Sequence, residues 1–266
     1  MTISSRIADS FFTTTDGEWF QPTPHTRGPW DVNACHAGPP TALLARALER
    51  EAPDFRLSRL TVNLLRPVPY SGFRIESSTT RQGRSVTTTE AQLIDSDGKV
   101  RVTATGLHLM EQSPIDFANT HIDKGSPEDA SPGEFPILET LHGEPAFNGD
   151  GIEIRYPAGE NREPGPTTAW MCTVPLFVDE VPSPFQRICP LADCGNAFGR
   201  NADPKEVTFV NADLTIVLFR DPVGEWLGTS SVGHWQPNGI GLADALLFDE
   251  HGAVGRALQT LVLREN

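Results

Sequence analysis

The four cysteines, Cys35, Cys172, Cys189 and Cys194, are the first side chains to consider for chemistry in this 266-residue sequence. Their spacings match no zinc-ligand pattern, so no metal site is predicted. Cys194 has no partnered base to activate its thiol, and a buried, inert cysteine is the commoner case. A disulfide framework would be sparse for this length. We therefore expect reduced thiols in a cytoplasmic protein, with no metal and no cofactor.

Side chains capable of acid–base chemistry lie on apolar strands of the C-terminal half. Asp213 precedes the run LTIVLF, Gln259 alternates with apolar neighbours, and His234 ends the stretch SSVGH. Each has an ordinary structural explanation when taken alone: a solvated strand-entry carboxylate, an edge-strand amide and a hydrogen-bonding imidazole. Asp193, near the second predicted helix, is best explained as a helix cap, with a position facing the pocket as the alternative. Their chemistry therefore depends on the elements that position them.

The chain repeats itself. Residues 60–107 align without a gap with residues 214–261, at an offset of 154, and Leu60 and Thr61 match Leu214 and Thr215. The turn sequences DSDG and DEHG also coincide in the two copies. A repeat of this size indicates a duplicated domain rather than a solenoid, whose repeats run about 20–50 residues.

Each copy predicts four strands of an antiparallel meander, because its runs are rich in Val, Ile, Thr and Leu and partly alternate. Glycines in the two shared turns supply the positive φ that such hairpins need. The predicted strands are 57–66, 72–80, 86–95 and 100–110 in the first copy, and 207–220, 225–235, 239–248 and 254–263 in the second.

A helix precedes each meander. The prolines of HAGPP, residues 36–40, suit a helix start, and the Ala- and Leu-rich run TALLARALERE favours its continuation. The second run, QRICPLADCGNAFG, is less regular, and we expect a kink at Pro190 or a helix that starts after it. Residues 111–165 are rich in Pro, Gly and polar residues and predict a largely irregular linker. The chain therefore divides into repeats 1–110 and 166–266, an α+β arrangement.

Several stretches resemble the acyl-CoA thioesterase II family. They are ADLTIVLFR at 212–220 with EWL at 225–227, the ending LQTLVLR at 258–264, and HAGPP with its helix, which is similar to actinobacterial members. The resemblance covers nearly the whole chain apart from the linker. It implies a double hotdog, in which two helix-plus-meander repeats form one pseudodimer.

The resemblance also implies a set of catalytic residues, because the family uses an Asp, a Ser or Thr, and a Gln from the second repeat. Asp213 and Gln259 fall on the Asp and the Gln, and the hydroxyl position falls near His234. Either His234 replaces the hydroxyl or Ser231 takes its role. Asp213 would deprotonate a water that attacks the thioester, and Gln259 would bind the water or the oxyanion. His234 would orient the water or protonate the leaving thiolate.

The same resemblance implies a substrate-binding surface. Backbone N–H groups at the start of the 38–51 helix, at Gly38-Pro39, would complete an oxyanion site. Ser231 and Trp235 would line the pocket. In the repeat alignment, Arg59 of the first repeat is equivalent to Asp213, and Thr105 is equivalent to Gln259. The first repeat therefore lacks the Asp–Gln pair, and one site is expected in each chain.

Two alternatives remain open at this point. The first is an acyl-thioester-binding pseudoenzyme, in which the departure at His234 has removed catalysis. The second is a hotdog enoyl-CoA hydratase, because such enzymes use an Asp and a His separated by a short segment with an Asn. Residues Asp31 to His36, with Asn33 between them, have that spacing.

Composition restricts the partners. The net charge is −14 and no Lys/Arg run exceeds two residues, so a nucleic-acid partner is not expected. No apolar run approaches the 18 or so residues of a membrane span, and the N-terminus lacks a secretory signal pattern. The family implies an acyl-CoA or other acyl thioester as substrate, an apolar tunnel for the acyl chain, a role in lipid metabolism and a homo-oligomer. Candidate contacts for the phosphates of CoA are Arg66, Arg81, Arg84 and Arg220.

Overall fold

One long antiparallel sheet is the main feature of the computed structural model, which describes residues 9–115, 124–137 and 143–266. The strands of the N-terminal half are β1 Phe12–Thr13, β2 Trp19–Pro22, β3 Arg56–Leu64, β4 Phe73–Gln82, β5 Val86–Ile94 and β6 Val100–Leu109. Those of the C-terminal half are β7 Ser131–Gly133, β8 Ile152–Tyr156, β9 Thr167–Thr173, β10 Val207–Asn211, β11 Asp213–Leu218, β12 Leu227–Trp235, β13 Ile240–Asp249 and β14 Gly252–Glu265.

The predicted strands are confirmed, and their outer ends lie within two residues of the predicted ones. The strand order is β1-β2-β4-β5-β6-β3-β11-β14-β13-β12-β9-β8-β7, and β10 pairs with β14. The two repeats join where β3 pairs with β11, so the meanders form one continuous surface. At this junction Thr61 pairs with its own repeat equivalent, Thr215, and their hydroxyl oxygens are 3.2 Å apart.

Among the described residues, four α-helices accompany the sheet: α1 Gly38–Glu51, α2 Phe147–Asp150, α3 Pro184–Ala192 and α4 Gly195–Phe198. Both α1 and α3 are amphipathic, and their apolar residues pack in one core with the inner faces of both meanders. Leu44 and Leu60 of the first repeat and Ile188 and Ile216 of the second belong to this core, and each is fully buried. A single core therefore spans the two repeats.

The two long helices also contact each other. A Cβ on Gly38 would lie 2.8 Å from the Cα of Pro190, so only a glycine allows this approach. Further along, the Arg46 guanidinium donates to both carboxylate oxygens of Glu180 at 2.6 Å. These contacts bring the start of α1 to the end of α3.

The prediction for the second helix needs correction, and the predicted linker contains some regular structure. Helix α3 runs through Pro190 instead of starting after it, and so lacks the hydrogen bond that an N–H at residue 190 would donate to the carbonyl of Gln186. Residues 111–165 contain strands β7 and β8, and β8 extends the sheet by pairing with β9. Within the described residues, no helix has the length and apolar character needed to span a bilayer.

Candidate active site

A cavity of about 1030 Å³ opens between the two repeats. The segment before α1, the end of β3, the end of α3 with α4, and β10 all contribute to its wall. Much of this wall is apolar: the lining side chains include Leu64, Val68, Phe135, Ile137, Ala197 and Phe209. Such a cavity can take an alkyl chain, provided that polar groups at one point fix the orientation of the ligand.

A buried polar cluster centred on Asp193 forms one point of this wall. Its carboxylate Oδ1 accepts hydrogen bonds from Gln259 Nε2 at 3.1 Å and from Asn211 Nδ2 at 2.9 Å. Its Oδ2 lies 3.0 Å from Nδ1 of His36. The Asp193 side chain is 4% exposed, and three donors compensate the cost of burying its charge. The cluster thus brings together residues from both repeats.

The position of Asp193 follows from the end of α3. Asp193 is the C-cap residue, so it is a cap as its sequence context indicates, but its side chain points away from the helix and into the cluster. Gln259 is 1% exposed, and its Oε1 accepts from the backbone N–H of Asn196 at 2.9 Å. That bond fixes the amide, so that Nε2 faces the Asp193 carboxylate. Asn196 itself lines the cavity.

A β-bulge positions Asn211. Asn211 pairs with Leu261 and Thr215 pairs with Leu258, so four steps along β10 and β11 match three along β14. The extra residue is Ala212, and it reverses the alternation of side chains along the strand. As a result Asn211 faces the cluster, and Asp213 faces the opposite side of the sheet.

The structure does not bring Asp213 and Gln259 together. Instead, the Asp213 carboxylate accepts from the backbone N–H of Thr260 at 2.7 Å and from the Thr260 hydroxyl at 3.2 Å. Thr260 is exposed on the outer face of β14, whereas Gln259 is on the inner face. The bulge explains the difference from the sequence prediction, because uninterrupted alternation would have turned Asp213 inward.

The other predicted site residues are spread over several environments. His234 is exposed on β12, on the face opposite to Ser231. Ser231 is buried and 2.8 Å from the hydroxyl of Thr229, close under the start of α4. Trp235 packs on Phe209, with 5.3 Å between the ring centroids, and so supports a cavity-lining residue.

Gly38 and Pro39 are buried at the start of α1 beside the cluster. The Gly38 N–H lies 3.2 Å from Nδ1 of His36, while Pro39 and Pro40 have no N–H. The helix start therefore offers fewer oxyanion donors than we predicted, because the prolines that favour the helix also remove its first amide hydrogens.

Cysteine chemistry does not fit the cavity. Burial raises the pKa of the Cys35 thiol, which lines the cavity, to about 12. Burial also raises the pKa of Cys194 well above its ordinary value. Both thiols therefore remain protonated and weakly nucleophilic near neutral pH. The cysteines among the described residues are unpaired, and no group of three or more metal-ligating side chains occurs among those residues.

Of the arginines proposed to contact CoA, Arg66 lines the cavity and is exposed. Arg220 instead donates to both carboxylate oxygens of the buried Asp249 at 2.6 Å. The Arg220 guanidinium is therefore paired with a carboxylate at the turn between β13 and β14. Arg66 is thus the predicted cation that is best placed to meet an anionic group at the cavity mouth.

Sequence reasoning missed one member of the cluster, Asn211. It considered His36 only as the histidine of a hydratase, and for Asp193 it preferred a helix cap to a position facing the pocket. The sequence does carry one usable signal for His36, since it lies two residues before the glycine and prolines that begin α1. Asn211 carries no such signal, because its orientation depends on the bulge at Ala212.

Comparison with known proteins places the chain in a family. A model of the acyl-CoA thioesterase N-terminal domain matches residues 26–109, and a model of the C-terminal domain matches residues 125–263. The second match begins inside the predicted 111–165 linker. No curated protein sequence is significantly similar to this chain.

Solved structures show the fold. A provisionally assigned thioesterase from Novosphingobium aromaticivorans has a TM-score of 0.73 at 16% identity, covering 96% of this chain and 98% of its own. A hot dog fold protein from Alicyclobacillus acidocaldarius has a TM-score of 0.72 at 17% identity, covering 98% of both chains. The acyl-CoA thioesterase II TesB2 of Mycobacterium marinum has a TM-score of 0.65 at 16% identity, covering 98% of both chains.

These structures confirm the predicted double-hotdog fold, in which two helix-plus-meander repeats share one sheet. The C-terminal model alone spans more than half of the sequence, and the two models together cover both repeats. This chain therefore belongs to the acyl-CoA thioesterase family.

Proposed function

We propose that this protein hydrolyses acyl thioesters, with acyl-CoA as substrate, in the cavity between its repeats. The observation that carries this proposal is the Asp193 cluster, a set of hydrogen-bonded polar side chains in a largely apolar wall. Its members are an Asp and a Gln with an amide in place of a hydroxyl, which is close to the constellation that the family resemblance implies. The Asp is Asp193 rather than Asp213.

Hydrolysis needs three things at the thioester carbonyl. A water molecule must be held and deprotonated, which the Asp193 cluster supports. The developing oxyanion needs hydrogen-bond donors, and the side-chain amide of Asn196 is a suitable one at the cavity wall. The acyl chain needs an apolar surface, which residues such as Phe135 and Ile137 offer. The exposed guanidinium of Arg66 would meet a phosphate of CoA.

The decisive experiment measures free thiol release from a series of acyl-CoAs of short to long chain length. Asp193→Asn should reduce kcat by about 10²–10⁴-fold, because it removes the charge on which the cluster depends. Asp213→Asn should stay within about threefold of the wild type, since Asp213 lies on the opposite face. Equal loss in both variants, or loss in Asp213→Asn alone, would restore Asp213 to the active site.

The two alternatives predict different products. A binding pseudoenzyme would bind acyl-CoA saturably and release no thiol from any chain length. A hydratase would add water to a trans-enoyl-CoA without thiol release, and Asp31 and His36 do line the same cavity. However, the carboxylate in contact with His36 is Asp193, so the Asp31–His36 pair that suggested a hydratase is not formed.

A further inference from the structure

We propose that His36, from the N-terminal repeat, is the base that takes the proton from the attacking water. This proposal rests on the proposed thioester hydrolysis and names the atom that performs its first proton transfer. It also means that one active site requires side chains from both repeats.

The carboxylate of Asp193 is largely occupied by its hydrogen-bond partners. A carboxylate offers about four acceptor sites. Those of Asp193 receive Gln259 and Asn211 on Oδ1 and face His36 on Oδ2. With its side chain 4% exposed, it has little access to a water in the cavity. Asp193 is therefore better suited to orient another base than to act as the base itself.

The two neighbours of His36 Nδ1 determine the tautomer of the ring. Its Nδ1 lies 3.0 Å from a carboxylate oxygen and 3.2 Å from the Gly38 N–H, and one ring nitrogen cannot donate to the first while it accepts from the second. The carboxylate makes the stronger, charge-assisted bond, so we assign the proton to Nδ1. This leaves a free lone pair on Nε2, which has no hydrogen-bond partner among the described residues.

His36 is accessible from the cavity and is held in one orientation. His36 lines the cavity, and its side chain is 14% exposed. Its ring stacks on Phe147 at 4.1 Å between centroids, and its backbone N–H donates to Thr26 O at 2.8 Å. A base held by stacking and by a carboxylate on its far nitrogen keeps one orientation toward the substrate.

His36 takes up one proton and gives it back in the course of hydrolysis. The water oxygen forms a bond to the thioester carbonyl carbon while one water proton moves to His36 Nε2, and the carbonyl π electrons move to the oxygen. The tetrahedral intermediate then collapses, the C–S bond breaks, and the departing sulfur takes the proton from Nε2. The products are a carboxylic acid and a thiol, and His36 returns to its starting state.

The test compares three variants in the thiol-release assay. His36→Asn keeps an N–H that can donate to Asp193 but has no nitrogen at the position of Nε2. His36→Ala removes the ring and leaves space for added imidazole. The control is His251→Ala, which changes an exposed histidine in the turn before β14. Thermal unfolding and binding of a non-hydrolysable thioether analogue of acyl-CoA establish that each variant is folded and binds substrate.

We expect His36→Asn and His36→Ala to lose about 10²–10⁴-fold in kcat with analogue binding nearly unchanged. Imidazole should raise the rate of His36→Ala at least about tenfold and leave His251→Ala unchanged. A His36→Asn variant with activity near the wild type would overturn the proposal and leave His36 a structural role, and so would the absence of rescue by imidazole. If the wild-type protein itself releases no thiol, the proposed hydrolysis fails first, and the two failures are thereby distinguished.

Discussion

Three elements supply the donors that surround the Asp193 carboxylate: His36 from the segment before α1, Asn211 from β10, and Gln259 from β14. A buried carboxylate with this many partners is costly to leave half-satisfied. A substitution of one donor should therefore change both the stability and the activity of the protein. The direction of each change depends on the charge of the new side chain.

The substitution Gln259→Glu tests how far stability depends on the charge of one donor in the cluster. The new carboxylate would face Asp193 across the 3.1 Å now bridged by the amide N–H. We expect a loss of about 3 kcal/mol or more in the free energy of unfolding, because a donor becomes a like charge in a buried site. Chemical denaturation measures this loss of stability. The matched control is Gln236→Glu at an exposed position, which should change stability by less than about 0.5 kcal/mol. Equal effects at the two positions would contradict the cluster.

A second residue-scale prediction concerns His108, far along the sheet from the site. It is 0% exposed, and burial lowers its pKa to about 4. The folded pKa lies below the ordinary value of 6.5, so between pH 6.5 and 4 the unfolded chain binds the proton and the folded chain does not. Stability is therefore lost as the pH falls through this window.

The measurement is Tm against pH for the wild type and for His108→Gln, whose amide can still bond the Thr89 hydroxyl that now lies 2.8 Å from Nε2 of His108. The Tm of the wild type should fall more steeply between pH 6.5 and 4 than that of the variant. If the curves of Tm against pH are parallel for the two proteins, the pKa of His108 is not lowered by folding.

At the scale of elements, the sequence predicted the two helices and the eight meander strands because hydrophobic periodicity and turn glycines are local signals. The predicted alternation of side chains failed at Ala212, where a one-residue bulge turns Asn211 inward and Asp213 outward. A bulge depends on how two distant strands pair, and alternation within one strand does not reveal it. For the same reason the strands β7 and β8 were not predicted within the 111–165 segment.

The contact between α1 and α3 gives a prediction at this scale. Gly38→Ala would place a Cβ 2.8 Å from Pro190 Cα and 3.0 Å from its carbonyl oxygen, so the helices must separate. We expect a loss of about 1–3 kcal/mol in stability. Thiol release should fall as well, because His36 and Asp193 lie at this contact.

The control is Gly149→Ala in α2, where a Cβ meets nothing within 4 Å. It should be neutral or slightly stabilising, because Ala is a better helix former than Gly. Thermal unfolding compares the two alanine variants directly. A Gly38→Ala protein as stable as Gly149→Ala would show that the helices can move apart without cost.

At the scale of the molecule, one core and one sheet run through both repeats. We therefore expect the chain to unfold in a single transition, with coincident curves from far-UV circular dichroism and tryptophan fluorescence. A core substitution in the first repeat, such as Leu60→Ala, should shift the whole transition by the equivalent of about 2–5 kcal/mol. Two separable transitions, with one unaffected by Leu60→Ala, would show that the repeats are independent domains.

The pairing of Thr61 with Thr215 at the junction has a consequence for how the site assembles. Two separate hotdog chains would lose any shared site on dilution, because the dimer would dissociate. Here the imidazole and the carboxylate that meet where the start of α1 contacts the end of α3 are part of one polypeptide, so their encounter is intramolecular and their stoichiometry is fixed at one to one. Fusion also lets each repeat accept substitutions that its counterpart does not share: Thr105 occupies in the first repeat the place that Gln259 occupies in the second.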